Sequence, residues 1–371
     1  MKGFDLRYQE TRIHFGDRSV EKLKGYIQKM NHVILVTGKN SARLSGAMDD
    51  VEKLLKEEDV DLKVYDNIRP NPTTEIADDL ADLLREEKPD CVIAIGGGSV
   101  IDTAKVASVI AIGGGCAEDY LGGRKIGGYL PLFVVNLTHG TGSEVDRYAV
   151  LTSGKIKMGI SARYPTASFD DPRYMLSLPV KQSIYTSIDA FFHAYEALTS
   201  RHSNPFVRTL SLDSAEIIGE NLPKNQDIEA KRNLLYASMI AGISLDMSPA
   251  HVVHAIEHAL SGINPDLPHG CGLAMIGARS IYWIHRHSEA SKEIIQKLTR
   301  ERIDDAKSAE DIFKRFLEEV GFEERLSDYG FGRDDFREVE KIVFKDLRYL
   351  LRRAPFNLTR DMLIDILENS L

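Results

Sequence analysis

Asp189 and His193 stand four residues apart in the stretch Ser-Ile-Asp-Ala-Phe-Phe-His-Ala-Tyr-Glu. On a helix, that spacing sends both side chains out of one face. Two further imidazoles follow, His254 in His-Ala-Ile-Glu-His and His269 in the Pro-His-Gly turn at 268–270. One carboxylate and three imidazoles form a hard donor set rich in oxygen and nitrogen. It suits Fe(II), Zn(II) or a similar divalent ion with one position left open for substrate.

The first half of the chain carries a different chemistry. Ile95-Gly96-Gly97-Gly98-Ser99 follows an apolar run and opens a helix expected over Val100–Ile110. Glycines let backbone approach a phosphate, and a helix start offers unpaired N–H groups and the positive end of the dipole. The triplet is not GxGxxG, so the dinucleotide fingerprint fails. A second loop, Thr138-His139-Gly140-Thr141-Gly142-Ser143, offers hydroxyls and backbone donors after another strand. Two such loops suit a pyrophosphate. At the end of the first predicted strand stands Gly38, followed by Lys39, Ser41 and Arg43. A carboxylate there would bind a ribose 2′-OH and repel a 2′-phosphate. Its absence beside two cations favours NADP(H) over NAD(H).

Composition narrows the field. The 371 residues favour two domains. A net charge of −9 with no dense Lys/Arg run argues against nucleic acid as the main partner. Three cysteines, Cys91, Cys116 and Cys271, are too few for a disulfide framework and fit reduced thiols in the cytoplasm. No apolar run reaches membrane-spanning length, and the N-terminus lacks a secretory apolar core.

The elements that must hold these residues are legible as patterns. Strands are expected at 33–36, 61–65, 91–95 and 132–135, with amphipathic helices at 45–57 and 74–87 between them. This βαβ alternation predicts a parallel sheet covered by helices. From about Pro172, helical patterns dominate: 182–199, 205–221, 228–246, 250–261, 271–288, 308–320 and 334–350. The expected division is an α/β dinucleotide-binding domain over 1–172 and an all-helical metal-binding domain over 173–371.

Several motifs together resemble the iron-containing (group III) alcohol dehydrogenases. They are Gly-Gly-Gly-Ser-Val-Ile-Asp-Thr-Ala-Lys at 96–105, Gly-Thr-Gly-Ser-Glu-Val at 140–145, Asp-Ala-Phe-Phe-His-Ala-Tyr-Glu at 189–196, and His-Ala-Ile-Glu-His at 254–258 with Pro-His-Gly. The similarity runs nearly end to end and includes Pro70-Asn71-Pro72. It implies a dehydroquinate synthase-like nucleotide-binding domain, a helical metal domain and a homodimer. The activity implied is hydride transfer between an alcohol or aldehyde carbon and nicotinamide. Asp189, His193, His254 and His269 fall on the family's metal positions, and His258 on an active-site histidine outside the ligand set. Gly97, Gly98, Ser99, Thr138 and Thr141 fall on cofactor loops. Asn71 and Lys39 are counted with them, and Lys157 lies near a family lysine that reaches the cofactor. Gly38 stands where NAD-preferring relatives often carry Asp.

The chain also departs from the pattern. Leu137 and His139 interrupt the usual Pro-Thr-Thr-Ala-Gly-Thr-Gly-Ser loop, and the segment 272–279 has no proline and includes Arg279. These changes are expected to touch the substrate pocket and the nicotinamide side. His251, His285 and His287 are expected at helix surfaces or in packing, and His32 and His202 at the surface. Asp102 and Glu144, beside the phosphate loops, are expected to shape turns. Alternative readings are a polyol, sugar-phosphate or glycerol-phosphate dehydrogenase, and a non-catalytic dinucleotide or metal sensor.

Overall fold

β-Branched and aromatic runs build the strands: β1 (Phe4–Tyr8), β2 (Thr11–Phe15), β3 (His32–Gly38), β4 (Asp61–Ile68), β5 (Cys91–Gly96) and β6 (Leu132–Asn136). A two-stranded ribbon of β7 (Tyr148–Ser153) and β8 (Ile156–Ser161) follows, then β9 (Ala167–Asp170). The computed structural model describes residues 1–371 and divides into two units. One is Met1–Gly154 with Met158–Pro179, and the other is Lys155–Lys157 with Val180–Leu371.

In the first unit seven strands form one sheet in the order β1-β2-β9-β6-β5-β3-β4. All neighbours are parallel except β1 and β2. Every residue of β5 and β6 is buried, as strands covered on both faces require. Helices α1 (Ala47–Glu57), α2 (Thr74–Glu87) and α3 (Gly98–Gly113) supply the cover. The pairing of Thr37 with Ile95 and of Gly96 with Asn136 brings the carboxyl ends of β3, β5 and β6 to one sheet edge. That edge is where open parallel sheets bind ligands.

The four expected strands are all present, each longer than its apolar run. β9 carries no such run because its burial is polar. Ser168 Oγ and Asn136 Nδ2 both donate to Asp170 inside the sheet, at 3.1 and 3.2 Å. β1 is a short edge strand and β2 the short strand beside it, both with mixed exposure, so their period is weak.

The second unit is helical: α4 (Val180–Thr199), α5 (Pro205–Asn221), α6 (Ile228–Met247), α7 (Val252–Ile263), α8 (His269–His285), α9 (Glu289–Thr299), α10 (Ala306–Glu319) and α11 (Arg360–Glu368). α4 is buried continuously from Ser183 to Thr199, so helices must surround it. α5, α6 and α8 do so. Asn204 caps α5 by accepting from the N–H groups of Phe206 and Val207, with Pro205 in the first turn. The helix expected over 334–350 is broken: Phe336–Lys341 is α-helical, Ile342–Asp346 is a π turn and Arg348–Leu351 resumes. A wider turn inserts one residue and is invisible to a 3.6-residue period. α9 was not anticipated. No helix is long and apolar enough to cross a membrane.

Close helix approach rests on a few glycines. A Cβ at Gly219 would stand 1.8 Å from the carbonyl oxygen of Leu298, so α5 meets α9 backbone to backbone. Gly219→Ala is expected to lower stability by about 1–3 kcal/mol through overpacking. The urea midpoint measures this, and an unchanged midpoint contradicts the packing described.

Candidate active site

α4 carries Asp189 and His193 one turn apart, α7 carries His254, and α8 begins at His269. Their side chains converge on one atom. The Nε2 atoms of His193, His254 and His269 lie 3.4, 3.6 and 3.5 Å from Asp189 Oδ1. Those distances are too long for hydrogen bonds. They match donors about 2.1 Å from one tetrahedral ion, which stand about 3.4 Å apart. Asp189 Oδ1 and His254 Nε2 are buried without a hydrogen-bond partner. Buried polar atoms left unpaired are costly, and a shared cation would satisfy both. The donor set therefore fits a divalent ion.

Charge supports the same fit. Burial alone would raise the Asp189 carboxyl, but the imidazoles of His193, His269 and His254 outweigh it and hold it well below the usual range. Burial disfavours a charged His254, yet Asp189 and Glu196 raise its imidazole to about 9. The cluster attracts positive charge, whether protons or a metal.

Two carboxylates orient the imidazoles from behind. Glu196, on α4, accepts from His254 Nδ1 at 2.5 Å and from the N–H groups of Val253 and His254 at 2.7 and 3.2 Å. It caps the start of α7 and turns His254 Nε2 toward Asp189 in one act. Glu257, between the two histidines of α7, holds His269 Nδ1 in a short contact. Neither glutamate is singled out by the sequence pattern. Glu196 lies seven residues after Asp189 and three after His193, a same-face spacing that was a usable signal.

His258 is 5 % exposed, with Nδ1 unpartnered. Burial and the nearby Lys157 push its imidazole well below its ordinary value, so it is neutral. Lys157 groups with the helical unit: its Nζ lies 3.0 Å from Ser261 Oγ, 3.3 Å from His269 Nδ1 and 3.5 Å from Glu257 Oε2. His251 is wholly buried, not at a surface. It meets Thr199 Oγ1 at 3.0 Å, and its Nδ1 lies 3.0 Å from Glu196. Arg279 is spent on Asp365 and Glu310, so it is a structural tie rather than a waiting anion site.

In the sheet unit the two loops touch. A Cβ on Gly97 would meet the Thr138 side chain at 2.7 Å, and one on Gly98 would meet Thr141 at 2.5 Å. Gly97, Gly98 and Ser99 form the start of α3, whose first N–H groups have no partner within the helix. Lys105, wholly buried on α3, clamps the second loop. Its Nζ donates to Ser143 Oγ (2.8 Å), Asp146 Oδ1 (2.8 Å) and the Tyr148 carbonyl (2.7 Å). Asp102 accepts from Ser143 Oγ at 2.5 Å and from the Val150 N–H at 2.9 Å, the turn-shaping role expected of it. Glu144 is buried instead, and burial and Asp170 raise its carboxyl well above the ordinary value. Gly38 ends β3. The exposed Lys39 bonds Asp66 and Asn67 at 3.2 and 3.0 Å, and Arg43 pairs with Glu52. Asn71 takes a left-handed backbone, φ 50°.

Comparison with known proteins follows the same division. Residues 10–172 match the sequence model of the iron-containing alcohol dehydrogenases, and residues 183–371 match the C-terminal model of the Fe-containing alcohol dehydrogenase family. The chain is 35 % identical over 390 residues to a long-chain primary alcohol dehydrogenase, AdhA, of Thermoanaerobacter ethanolicus, covering 100 % of this chain and 98 % of that one. It is 31 % identical over 329 residues to a 1,3-propanediol dehydrogenase of Citrobacter freundii, covering 84 % and 85 %. Among solved structures, an archaeal halo-thermophilic alcohol dehydrogenase from a Red Sea brine pool superposes with a TM-score of 0.91 at 27 % identity, covering 100 % and 99 %.

Lys105→Met would leave Asp146 buried without its cation. The expected cost is on the order of 3–5 kcal/mol. Chemical denaturation measures it, and a loss under 1 kcal/mol would show the clamp to be dispensable.

Proposed function

The chain belongs to the iron-containing alcohol dehydrogenase family, and from that membership we propose how its own residues divide the reaction. The protein is an oxidoreductase acting on alcohols, with a divalent metal and a nicotinamide cofactor. Asp189, His193, His254 and His269 hold the metal. One observation carries this reading: three imidazole Nε2 atoms stand 3.4–3.6 Å from a single buried carboxylate oxygen. When bound, the ion would supply a Lewis acid for the alcohol or carbonyl oxygen, and the nicotinamide would supply or accept the hydride. Iron is the family's metal, and the donor set also accommodates zinc.

The remaining residues bind, orient and move protons. Asp189 stays ionised and brings negative charge to the ion. Glu196 fixes which nitrogen of His254 faces inward, because Nδ1 is already committed to it. His258 presents its unpartnered Nδ1 as the acceptor that hands the alcohol proton on. Gly97, Gly98, Ser99, Thr138 and Thr141 cradle the pyrophosphate on the amides of α3 and the neighbouring loop. Asn71 and Lys157 contribute further cofactor contacts.

The cofactor assigned is NADP(H) in preference to NAD(H). Gly38 offers no carboxylate to a ribose, and Lys39 is held only by an exposed pair. Such pairs are worth little, so Lys39 is available to a 2′-phosphate. The substrate assigned is an unphosphorylated alcohol or aldehyde. The commitment of Arg279 to two carboxylates supports this over the sugar-phosphate and glycerol-phosphate readings. The three cysteines stand as free thiols, which supports a reducing, cytoplasmic setting, and the assembly assigned is a homodimer.

Asp189→Ala and His269→Ala should each remove bound metal and abolish the absorbance change at 340 nm together. Full metal content in either variant would overturn the ligand assignment. Gly38→Asp should shift preference toward NAD by about tenfold or more, roughly 1.4 kcal/mol. The added Cβ comes no nearer than 3.4 Å to the Ile68 carbonyl, so the fold accommodates it. An unmoved ratio of kcat/KM between the two cofactors would remove the case for NADP.

A further inference from the structure

A second cluster lies immediately beside the proposed ligands. Glu257, His258 and His269 offer donor atoms that all lie within 4.8 Å of one another. Glu257 is wholly buried. One of its oxygens holds His269 Nδ1 and the other, Oε1, has no hydrogen-bond partner. A buried carboxylate needs compensating charge, and here Lys157 supplies it. Its Nζ, on a side chain 6 % exposed, stands 3.5 Å from Glu257 Oε2 and 3.3 Å from His269 Nδ1.

The backbone holds this arrangement in place. Lys155–Lys157 lie against α7 at Gly262, where a Cβ would come within 2.3 Å of the Lys155 carbonyl oxygen. At Gly272, on α8, a Cβ would come within 2.9 Å of the Glu257 side chain. Two missing side chains thus admit the lysine from one side and the carboxylate from the other.

We propose that Glu257 is a positioning residue that points His269 at the metal, and that Lys157 is its opposing cation, the two together setting how tightly the metal is held. The proposal rests on the ligand set assigned above. Glu257 fixes His269 through Nδ1 and leaves Nε2 directed at Asp189, and its charge makes the imidazole a stronger donor. Lys157 acts in the other direction. Its ammonium competes for the same carboxylate and places positive charge beside the imidazole that must accept a cation. The two substitutions therefore move metal affinity in opposite directions, which general damage to a buried ion pair does not do.

The test is the dissociation constant for Zn(II) and for Co(II), measured on the full-length metal-depleted protein without cofactor by competition with a chromogenic chelator. The visible spectrum of the Co(II) form reports the ligand geometry. Glu257→Gln, which keeps the shape and loses the charge, should weaken binding by about 10–100-fold. Lys157→Met should tighten it by about tenfold. Circular dichroism of the metal-free variants checks that each is folded, and Glu257→Asp, which keeps the charge on a shorter arm, should recover part of the affinity. Wild-type affinity in Glu257→Gln, or weakening by both substitutions alike, overturns the proposal. His269→Ala separates the two readings. If it keeps its metal, the ligand set itself is wrong. If it loses the metal while Glu257→Gln does not, only the positioning role fails.

Discussion

A single buried oxygen, Asp189 Oδ1, organises the helical unit. An ionised carboxylate removed from water must be met by positive charge or by many donors. Here it is met by three imidazole nitrogens that stand just beyond hydrogen-bond reach. This brings α4, α7 and α8 together at one point, and the backbone yields to allow it. A Cβ on Gly270 would come within 2.0 Å of the Tyr185 carbonyl oxygen, so the start of α8 lies directly on α4. Only that approach lets His269, the first residue of α8, reach Asp189. Farther along α8, Gly277 lies against the Phe192 ring, with a Cβ position 2.5 Å away. The donor cluster and the packing of Phe191 and Phe192 against Phe313 of α10 therefore both border the contact of α4 with α8.

The sheet unit depends on a similar bargain between small residues and buried charge. Gly97 and Gly98 leave room for ligand backbone contact, but their first neighbours are the threonines of the adjoining loop. Gly97 and Gly98 are therefore needed to seat Thr138 and Thr141, whatever the loops bind. Lys105 then locks the second loop to the helix that begins at the first. One buried ammonium ties Ser143, Asp146 and the Tyr148 carbonyl to α3. Two loops held this way present their donors as one surface, which reduces the reorganisation needed on binding.

Much of this was legible in the residues alone, and the rest was hidden for physical reasons. The convergence of Asp189 with three histidines could be anticipated because metal chemistry demands particular residue types at helical spacing, as with Asp189 and His193. The central strands could be read because burial on both faces forces continuous apolar runs, as in Cys91–Ile95. β9 could not, since Ser168 and Asp170 satisfy each other inside the sheet and imitate a loop. Glu196 and Glu257 were missed because a glutamate on a helix is most often solvated. Only the fold shows these two turned inward onto imidazoles. The resemblance places Lys157 near the cofactor, but no local pattern reveals its contacts with Glu257, Ser261 and His269 in the helical unit.

The departures from the family's usual motifs were expected to reach the substrate. In the structure they also contribute to packing. His139 is wholly buried and Leu137 is 4 % exposed, so neither side chain is presented to solvent. In the helical unit, the lack of proline after Pro-His-Gly lets α8 run unbroken from His269 to His285. That continuity carries Arg279 to Asp365 at 2.7 Å and to Glu310 at 3.0 Å, and Trp283 Nε1 donates to Asp365 as well. The helix that begins at the proposed donor His269 is thus anchored to α11 and α10 nearly three turns later. A donor on a rigid element is positioned more sharply than one on a loop. On the ligand set proposed above, the altered segment would serve the metal indirectly, by stiffening the helix that carries His269.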